Sequence, residues 1–409
     1  MKEIPFETAV LSNGLRIIRQ SSHTDVVYSG YAIDAGTRDE TKDEHGLAHF
    51  VEHTLFKGTE HRRAWHILNR MENVGGDLNA YTNKEETVIY SAFLKRDFAR
   101  ALDLLTDIVF HCTFPELEVQ KEKTVILDEI ESYEDTPSEL IFDDFEDLLF
   151  SGHPLGHNIL GSPYSVRRLE AADARRFTSR FYHPANAVLF VYGNIPLDRI
   201  VRTAEQLTSD LPSGTPNQRR TAPCATPPIT KVHRRHTHQT LVITGCTAYP
   251  FGDPRRVGLR LISNILGGPG MNSRLNVVMR ERAGLVYNVE SNITTYTDTG
   301  VFSICFGCGP EDTERCMDLA KTELQRFADT PLTSLQLHAA RKQFAGQVGV
   351  ASDNFENAAL SMAKTFLHYG RPSTRSELLQ KLDVLTPAFL CDIAGSLFAP
   401  DRFFTLIYD

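Results

Sequence analysis

Two stretches of this 409-residue chain repeat one order of hydrophobic patterns, and that duplication restricts the fold more than any other feature. Between them lies SDLPSGTPNQRRTAPCATPPITK, residues 209–231, rich in Pro, Ser and Thr and without an apolar period. It reads as an extended linker. Each stretch opens on a strand pattern, VVYSGYAIDAG at 26–36 and QTLVITGCTAYP at 239–250. An apolar helix closing on glycine follows, HGLAHFVEHTLFKG at 45–58 and RVGLRLISNILGG at 256–268. Next come a β region (NAYTNKEETVIYSAFL; YNVESNITTYTDTGVFSICFGC) and a helix (RDFARALDLLTDIVF; EDTERCMDLAKTELQRFA). A strand closes each copy, NAVLFVYGN at 186–194 and DRFFTLIYD at 401–409. The expected fold is α+β: two homologous domains, each a mainly antiparallel sheet packed with helices. Their bounds read as 1–210 and 232–409, with a linker at 211–231.

Composition narrows the class. With 41% hydrophobic and 23% charged residues, the chain has the profile of a soluble globular protein. No apolar run approaches the roughly 18 to 20 residues that span a bilayer, so no membrane partner is expected. The opening MKEIPFETAVLSNGLRI lacks the apolar core of a signal peptide and the Arg/Ser-rich amphipathic character of a transit peptide, which reads as cytoplasmic. Seven scattered cysteines argue against a disulfide framework. Cys305 and Cys308 form a CxxC, but it lies in VFSICFGCG, a strand pattern, and no second CxxC completes a zinc site.

Charge is uneven. Residues 116–147 hold thirteen acids against Lys121 and Lys123, a net of −11, while the whole chain is −9. Two readings stand: a solvated helical face, or an acidic wall beside a site that favours basic peptides. No basic stripe exists, so nucleic acid is not an expected partner.

In HGLAHFVEHTLFKG the apolar residues Leu47, Phe50, Val51, Leu55 and Phe56 recur at helical spacing, with Gly58 as a stop. His49 and His53 are i and i+4, so both imidazoles leave one face and can share a metal. Glu52 stands between them, which puts its carboxylate beside that metal. A catalytic zinc takes three protein ligands and keeps a position for water, whose proton a nearby carboxylate accepts. Such a His pair also arises on ordinary core helices, and other histidines lie nearby. The second copy has no HxxEH on its matching helix, so any such chemistry belongs to the first.

The motif resembles that of the inverzincins, the pitrilysin/insulysin family of zinc peptidases, in which HxxEH inverts the usual order. That resemblance implies a third ligand about seventy-six residues after the second histidine, which here is Glu129 in EKTVILDEIESYED. It also implies a supporting acid seven residues earlier, Glu122, to hold a ligating imidazole. GLAHFVEHTLFKGT, GGDLNAYTNKEETVIY and HPLGHNILG resemble family segments in family order, over almost the whole chain. Length and duplication are similar to the branch of the mitochondrial processing peptidase β subunit and its bacterial relatives. Further implied features are Asn79-Ala80-Tyr81 as an edge strand that binds extended substrate. Arg280 and Tyr287, in MRERAGLVY, would hold the substrate main chain and hydrogen-bond the scissile carbonyl oxygen, with Arg282 a rival for the Arg role. LGGPGMNSRL, residues 266–275, resembles the family's glycine-rich loop, with Pro269 a departure that stiffens it.

The expected function is therefore a zinc metalloendopeptidase with one Zn2+ per chain, His49, His53 and Glu129 as ligands and Glu52 as general base. By resemblance the chain is half of a clamshell. It is expected to work as a homodimer, or as a heterodimer with a related chain, with the Arg/Tyr pair acting on the partner's metal. The rival readings are a non-catalytic partner or scaffold subunit, and a metallohydrolase of a non-peptide amide.

Overall fold

Strands form where β-branched and aromatic residues cluster. In the computed structural model, which describes residues 5–215, 220–235 and 238–409, the first six are β1 (Phe6–Val10), β2 (Arg16–Gln20), β3 (Val26–Ile33), β4 (Asn79–Thr82), β5 (Thr87–Leu94) and β6 (Ala187–Tyr192). They make one sheet in the order β1-β2-β6-β3-β5-β4, in which only the β2–β6 pair is parallel. Against one face pack α1 (Leu47–Leu55), α2 (Ala64–Glu72), α3 (Phe98–Phe110) and α4 (Glu116–Glu134). The shared core takes Tyr31, Ile89 and Leu189 from the sheet, with Phe50, Leu105 and Ile126 from the helices.

The remaining strands are β7 (Thr230–His233), β8 (Thr240–Ala248), β9 (Val286–Thr295), β10 (Gly300–Cys308) and β11 (Phe404–Tyr408). Their order is β7-β11-β8-β10-β9, and only β7–β11 is parallel. This repeats the first sheet strand for strand, from β2 onward and in the same directions. The duplication visible in the sequence is thus a duplication of topology, and β1 is the one addition. The fold is mixed α/β with two mainly antiparallel sheets, as the pattern predicts.

Two elements depart from the sequence reading. The hairpin β1–β2 pairs from Phe6↔Gln20 to Val10↔Arg16 in a stretch that the repeat leaves unassigned. Strand β7 begins at Thr230, inside the segment read as linker, of which 216–219 lie outside the described residues.

The compact units are also not the two continuous segments. One comprises Met1–Ser132, His157–Arg220 and Ser352–Ser373; the other comprises Tyr133–Gly156, Thr221–Ala351 and Thr374–Asp409. Each sheet therefore has its second face covered by a helix from the opposite half of the sequence. In the first unit Ala359, Met362 and Phe366, of the helix Phe355–Tyr369, pack on Ala32, Val88 and Phe190. In the second, Ile141, Phe145 and Leu149, of the helix Pro137–Leu149, pack on Ile243, Val301 and Leu406. The cause is legible in the strands: Ala187–Val191 is an unbroken apolar run, buried throughout, and such a run needs cover on both faces. No described helix is long and apolar enough to cross a membrane.

An ion-pair network fastens the helix Phe355–Tyr369 to its sheet. Glu86 is buried; its Oε1 accepts from Lys364 Nζ at 2.7 Å and its Oε2 lies 3.0 Å from His368 Nε2. Burial alone would raise its pKa, but His368 and Lys364 outweigh it and hold the carboxyl down at about 2. The unfolded chain, titrating near its ordinary value of about 4.3, takes up this proton first as pH falls. The stability from Glu86 is therefore complete above that ordinary value and lost as pH falls toward 2. Glu86→Gln is expected to cost about 2 kcal/mol at neutral pH, because a buried carboxylate loses its charge-assisted contacts to Lys364 and His368. It should also flatten the acid limb of stability against pH in denaturant titrations. A variant that keeps the wild-type acid slope would show that Glu86 does not carry it.

Candidate metal centre

The histidine-bearing helix α1 starts at a position that only glycine fits well. Gly46 has φ +89°, and a Cβ there would sit 2.8 Å from the Leu160 carbonyl oxygen. Its first amides are capped from outside the helix. The carboxylate of Glu40 accepts the Gly46 N–H at 2.9 Å and the Ala48 N–H at 2.7 Å. Glu40 is in turn 2.9 Å from Nε2 of His157, whose ring stacks on His45 at 4.0 Å between centroids. Burial pushes the Glu40 carboxyl well above its ordinary value, against the pull of both amides.

Downstream, the buried His49 and the half-buried His53 leave α1 with ring centroids 4.6 Å apart. Glu129 on α4 meets them: its Oε2 lies 3.7 Å from His49 Nε2 and 3.2 Å from His53 Nε2. His49, His53 and Glu129 are, among the described residues, the one group of three or more metal-type ligands whose donor atoms all lie within 4.8 Å of one another. Glu129 Oε2 is buried yet has no directed hydrogen-bond partner. A buried carboxylate oxygen 3.2 and 3.7 Å from two imidazole nitrogens is the arrangement a shared cation resolves. The donor set, two imidazoles and one carboxylate, suits zinc.

Support for the ring of His53 comes from its other nitrogen. Glu122, also on α4, places Oε2 3.2 Å from His53 Nδ1, and its Oε1 takes Lys57 Nζ at 2.7 Å. His49 lacks an equivalent, since its Nδ1 is buried without a partner.

Electrostatics follow from this crowding. Burial and the neighbouring His53 charge depress His49, with Glu129 opposing. Burial would lower His53 too, but Glu129 and Glu122 raise it overall. Glu129 is lowered chiefly by His53. Glu52, between the histidines, is raised by burial and by the Glu129 charge, while the Thr82 hydroxyl and His53 pull it the other way. Thr82 ends β4, whose exposed Asn79 and half-buried Ala80 occupy the open edge of the first sheet, paired on one side only with Tyr90 and Ile89.

Arg280 and Tyr287 belong to the other compact unit, where they sit together. Tyr287 is 82% exposed, and the Arg280 guanidinium carbon lies 5.8 Å from its ring centre. Arg280 sits on a short π-helix, Asn276–Arg282, and Arg282 at its end is exposed. Beside them is a cleft of about 350 Å³ lined by Gly267, Gly268, Gly270, Asn276, Arg280 and Glu290. Cys305 and Cys308 both lie on β10 but face opposite sides, Cys308 in the larger core and Cys305 against the helix Pro137–Leu149, so they share no site. The acidic run spans α4 and Pro137–Leu149, where several acids are already engaged: Glu118 with Lys121, Glu116 with Arg175, and Asp144 with Tyr408.

Sequence reasoning missed Glu40, His157 and Lys57. A lone acid six residues before a glycine carries no spacing signal of capping, and His157 is distant in the chain. Lys57 stood inside the motif, four residues after His53, which is one helical turn.

A profile described as insulinase, peptidase family M16, matches residues 16–162, and one described as the peptidase M16 inactive domain matches 168–344. The chain is 30% identical over 397 residues to an uncharacterized zinc protease of Bacillus subtilis, covering 97% of this chain and 96% of that protein. A similar zinc protease of Streptomyces coelicolor is 31% identical over 392 residues, 92% of this chain and 84% of the relative. In structure the chain is similar to a protease from Helicobacter pylori, with TM-score 0.91, 20% identity and coverage of 99% and 100%. It is likewise similar to a structure described as a peptidase M16 inactive domain from Pseudomonas fluorescens, with TM-score 0.92, 20% identity and coverage of 99% and 98%. These two share the fold.

Glu40→Ala should expose the cost of the cap. It leaves two amides at the start of α1 without their acceptor, at about 2 to 3 kcal/mol in chemical denaturation. A loss below about 0.5 kcal/mol would mean that water or the backbone caps α1 equally well.

Proposed function

Since the chain belongs to peptidase family M16, the insulinase family, we propose that it is a zinc-dependent endopeptidase acting on peptides or unfolded segments. The observation that carries this reading is Glu129 Oε2, buried, without a hydrogen-bond partner and facing both imidazole Nε2 atoms. His49, His53 and Glu129 would hold the metal. Zinc, when bound, supplies the Lewis acidity that makes water acidic enough to lose a proton near neutral pH. Glu52, on the same helix between the two ligands, would accept that proton on its carboxylate and return it to the leaving amine nitrogen. Glu122 would keep His53 in the tautomer whose Nε2 is free. The open edge of β4 offers backbone groups to an extended peptide, and Thr82, at its end, is felt by Glu52.

Arg280 and Tyr287 complete the proposal. The exposure of Tyr287 and the place of the half-buried Arg280 in the wall of the glycine-lined cleft suit groups that grip a peptide main chain and hydrogen-bond its carbonyl oxygen as charge develops there. The helix Arg255–Gly267, which matches α1 in the repeat, has no His, Asp or Glu. Among the described residues the second half gathers no ligand set of its own, in keeping with the description of its profile as an inactive domain. We assign the Arg/Tyr pair to the metal site of a second chain, so that a homodimer would hold two sites.

Glu52→Gln should keep zinc bound while peptide cleavage falls on the order of 10²- to 10⁴-fold. Glu129→Gln should instead lose zinc on dialysis. Peptide cleavage by Glu52→Gln near the wild-type rate, or full metal content in Glu129→Gln, removes the respective assignment.

The dimer has a separate test. Mixing Glu52→Gln chains with Tyr287→Phe chains should restore activity, because one of the two sites in a mixed dimer is intact. If labelled chains exchange and the mixture stays inactive, the pair does not act in trans.

A further inference from the structure

Lys57 lies just beyond the last residue of α1, and it does not point to solvent. The turn continues past the helix, with the Lys57 amide donating to the Thr54 carbonyl at 3.1 Å, so the side chain falls on the same side as His53. Its ammonium is 2.7 Å from Glu122 Oε1, while Glu122 Oε2 is 3.2 Å from His53 Nδ1. The exposures set this apart from a surface ion pair. The Glu122 side chain is 9% exposed and that of Lys57 is 26% exposed. An exposed pair gains little from such a contact, whereas a buried carboxylate needs both its oxygens satisfied.

The geometry points to Lys57 as a positioning residue for the metal centre. By occupying one oxygen of Glu122 it fixes the rotation of that carboxylate, so that the other oxygen faces His53 Nδ1. The N–H at Nδ1 then donates to Glu122, and the lone pair of Nε2 faces Glu129 and the proposed ion. The line Lys57–Glu122–His53 runs from the end of α1 to α4 and back to α1 through a single carboxylate. Without the ammonium, Glu122 is left buried with one oxygen free to turn away. This inference rests on the reading that His53 is a ligand.

Zinc affinity, measured by competition with a chromophoric chelator, tests it in five proteins: wild type, Lys57→Met, Lys57→Arg, Glu122→Gln and the double variant Lys57→Met/Glu122→Gln. Lys57→Met keeps the stem and removes the charge, and it should weaken zinc about 10-fold or more, the scale for loss of an orienting partner. Lys57→Arg should restore most of that loss. The double variant should bind zinc no more weakly than Glu122→Gln alone, because Lys57 acts through Glu122. If Lys57→Met folds poorly, Lys57→Gln reads the same quantity. Wild-type affinity in Lys57→Met, or losses that add in the double variant, overturn the inference and leave the zinc reading standing. A wild-type protein that binds no zinc overturns both.

Discussion

Both faces of each sheet must be kept from water, and the rest of the architecture follows from that requirement. A strand such as Ala187–Val191, apolar at every position, cannot turn one side to solvent without exposing half its side chains. The helices that follow each strand in sequence cover one face only. The other is covered by Phe355–Tyr369 in one unit and by Pro137–Leu149 in the other, each drawn from the opposite half of the chain. Polar groups then fix where these helices lie. Glu86 takes Lys364 and His368 in the first unit, and Tyr408 donates to Asp144 in the second.

The same demand of burial shapes the proposed metal centre. Two histidines and three carboxylates gathered beside an apolar core would be strongly unfavourable if unpaired. The structure answers with partners at each end of α1. Glu40 caps its start, and Lys57 with Glu122 ties its end to α4. The loop beyond is fixed too, because Asp107 of α3 accepts from Thr59 at 2.6 Å and lies 2.7 Å from His61 Nδ1. Two polar atoms of the site stay without a hydrogen-bond partner, His49 Nδ1 and Glu129 Oε2, and the second faces the Nε2 atoms of both imidazoles.

Much of this could be read from the chain. Helical period and i,i+4 spacing placed His49, Glu52 and His53 on one helix, because those rules depend on local geometry alone. The strands β3, β8 and β11 were likewise visible as apolar runs. The pairing of Glu129 with the histidines was not a local matter; seventy-six residues separate them, and only resemblance supplied that contact. Helix exchange was hidden for a related reason. A continuous apolar strand announces that two covers exist without saying which helices provide them. Glu40 went unread because capping from a distant segment leaves no periodicity, and Lys57 because its partner Glu122 stands on another helix.

Of the two matching helices, only α1 carries the proposed ligands. The two sheets keep the same strand order and directions, so the scaffold alone would permit a ligand helix in either. The proposed ligand His53, however, depends on Glu122 and, through it, on Lys57, and Glu122 stands on a separate helix of the first unit. The matching helix, Arg255–Gly267, has buried Leu259 and Ile262 in its core and a Ser263 hydroxyl bonded to the Ser291 carbonyl at 3.1 Å. Placing histidines there would bury polar rings, and the helix Ser334–Ala351 that packs beside it carries no Asp or Glu to receive them. The second unit instead presents the exposed Tyr287 on β9 and the half-buried Arg280 on the preceding π-helix. One repeat thus bears the cost of a buried charged centre while the other keeps an apolar helix and presents polar groups at its surface. The proposed metal centre therefore rests on Glu122 and Lys57 as well as on the HxxEH helix, and a HxxEH written into the second helix alone would lack both.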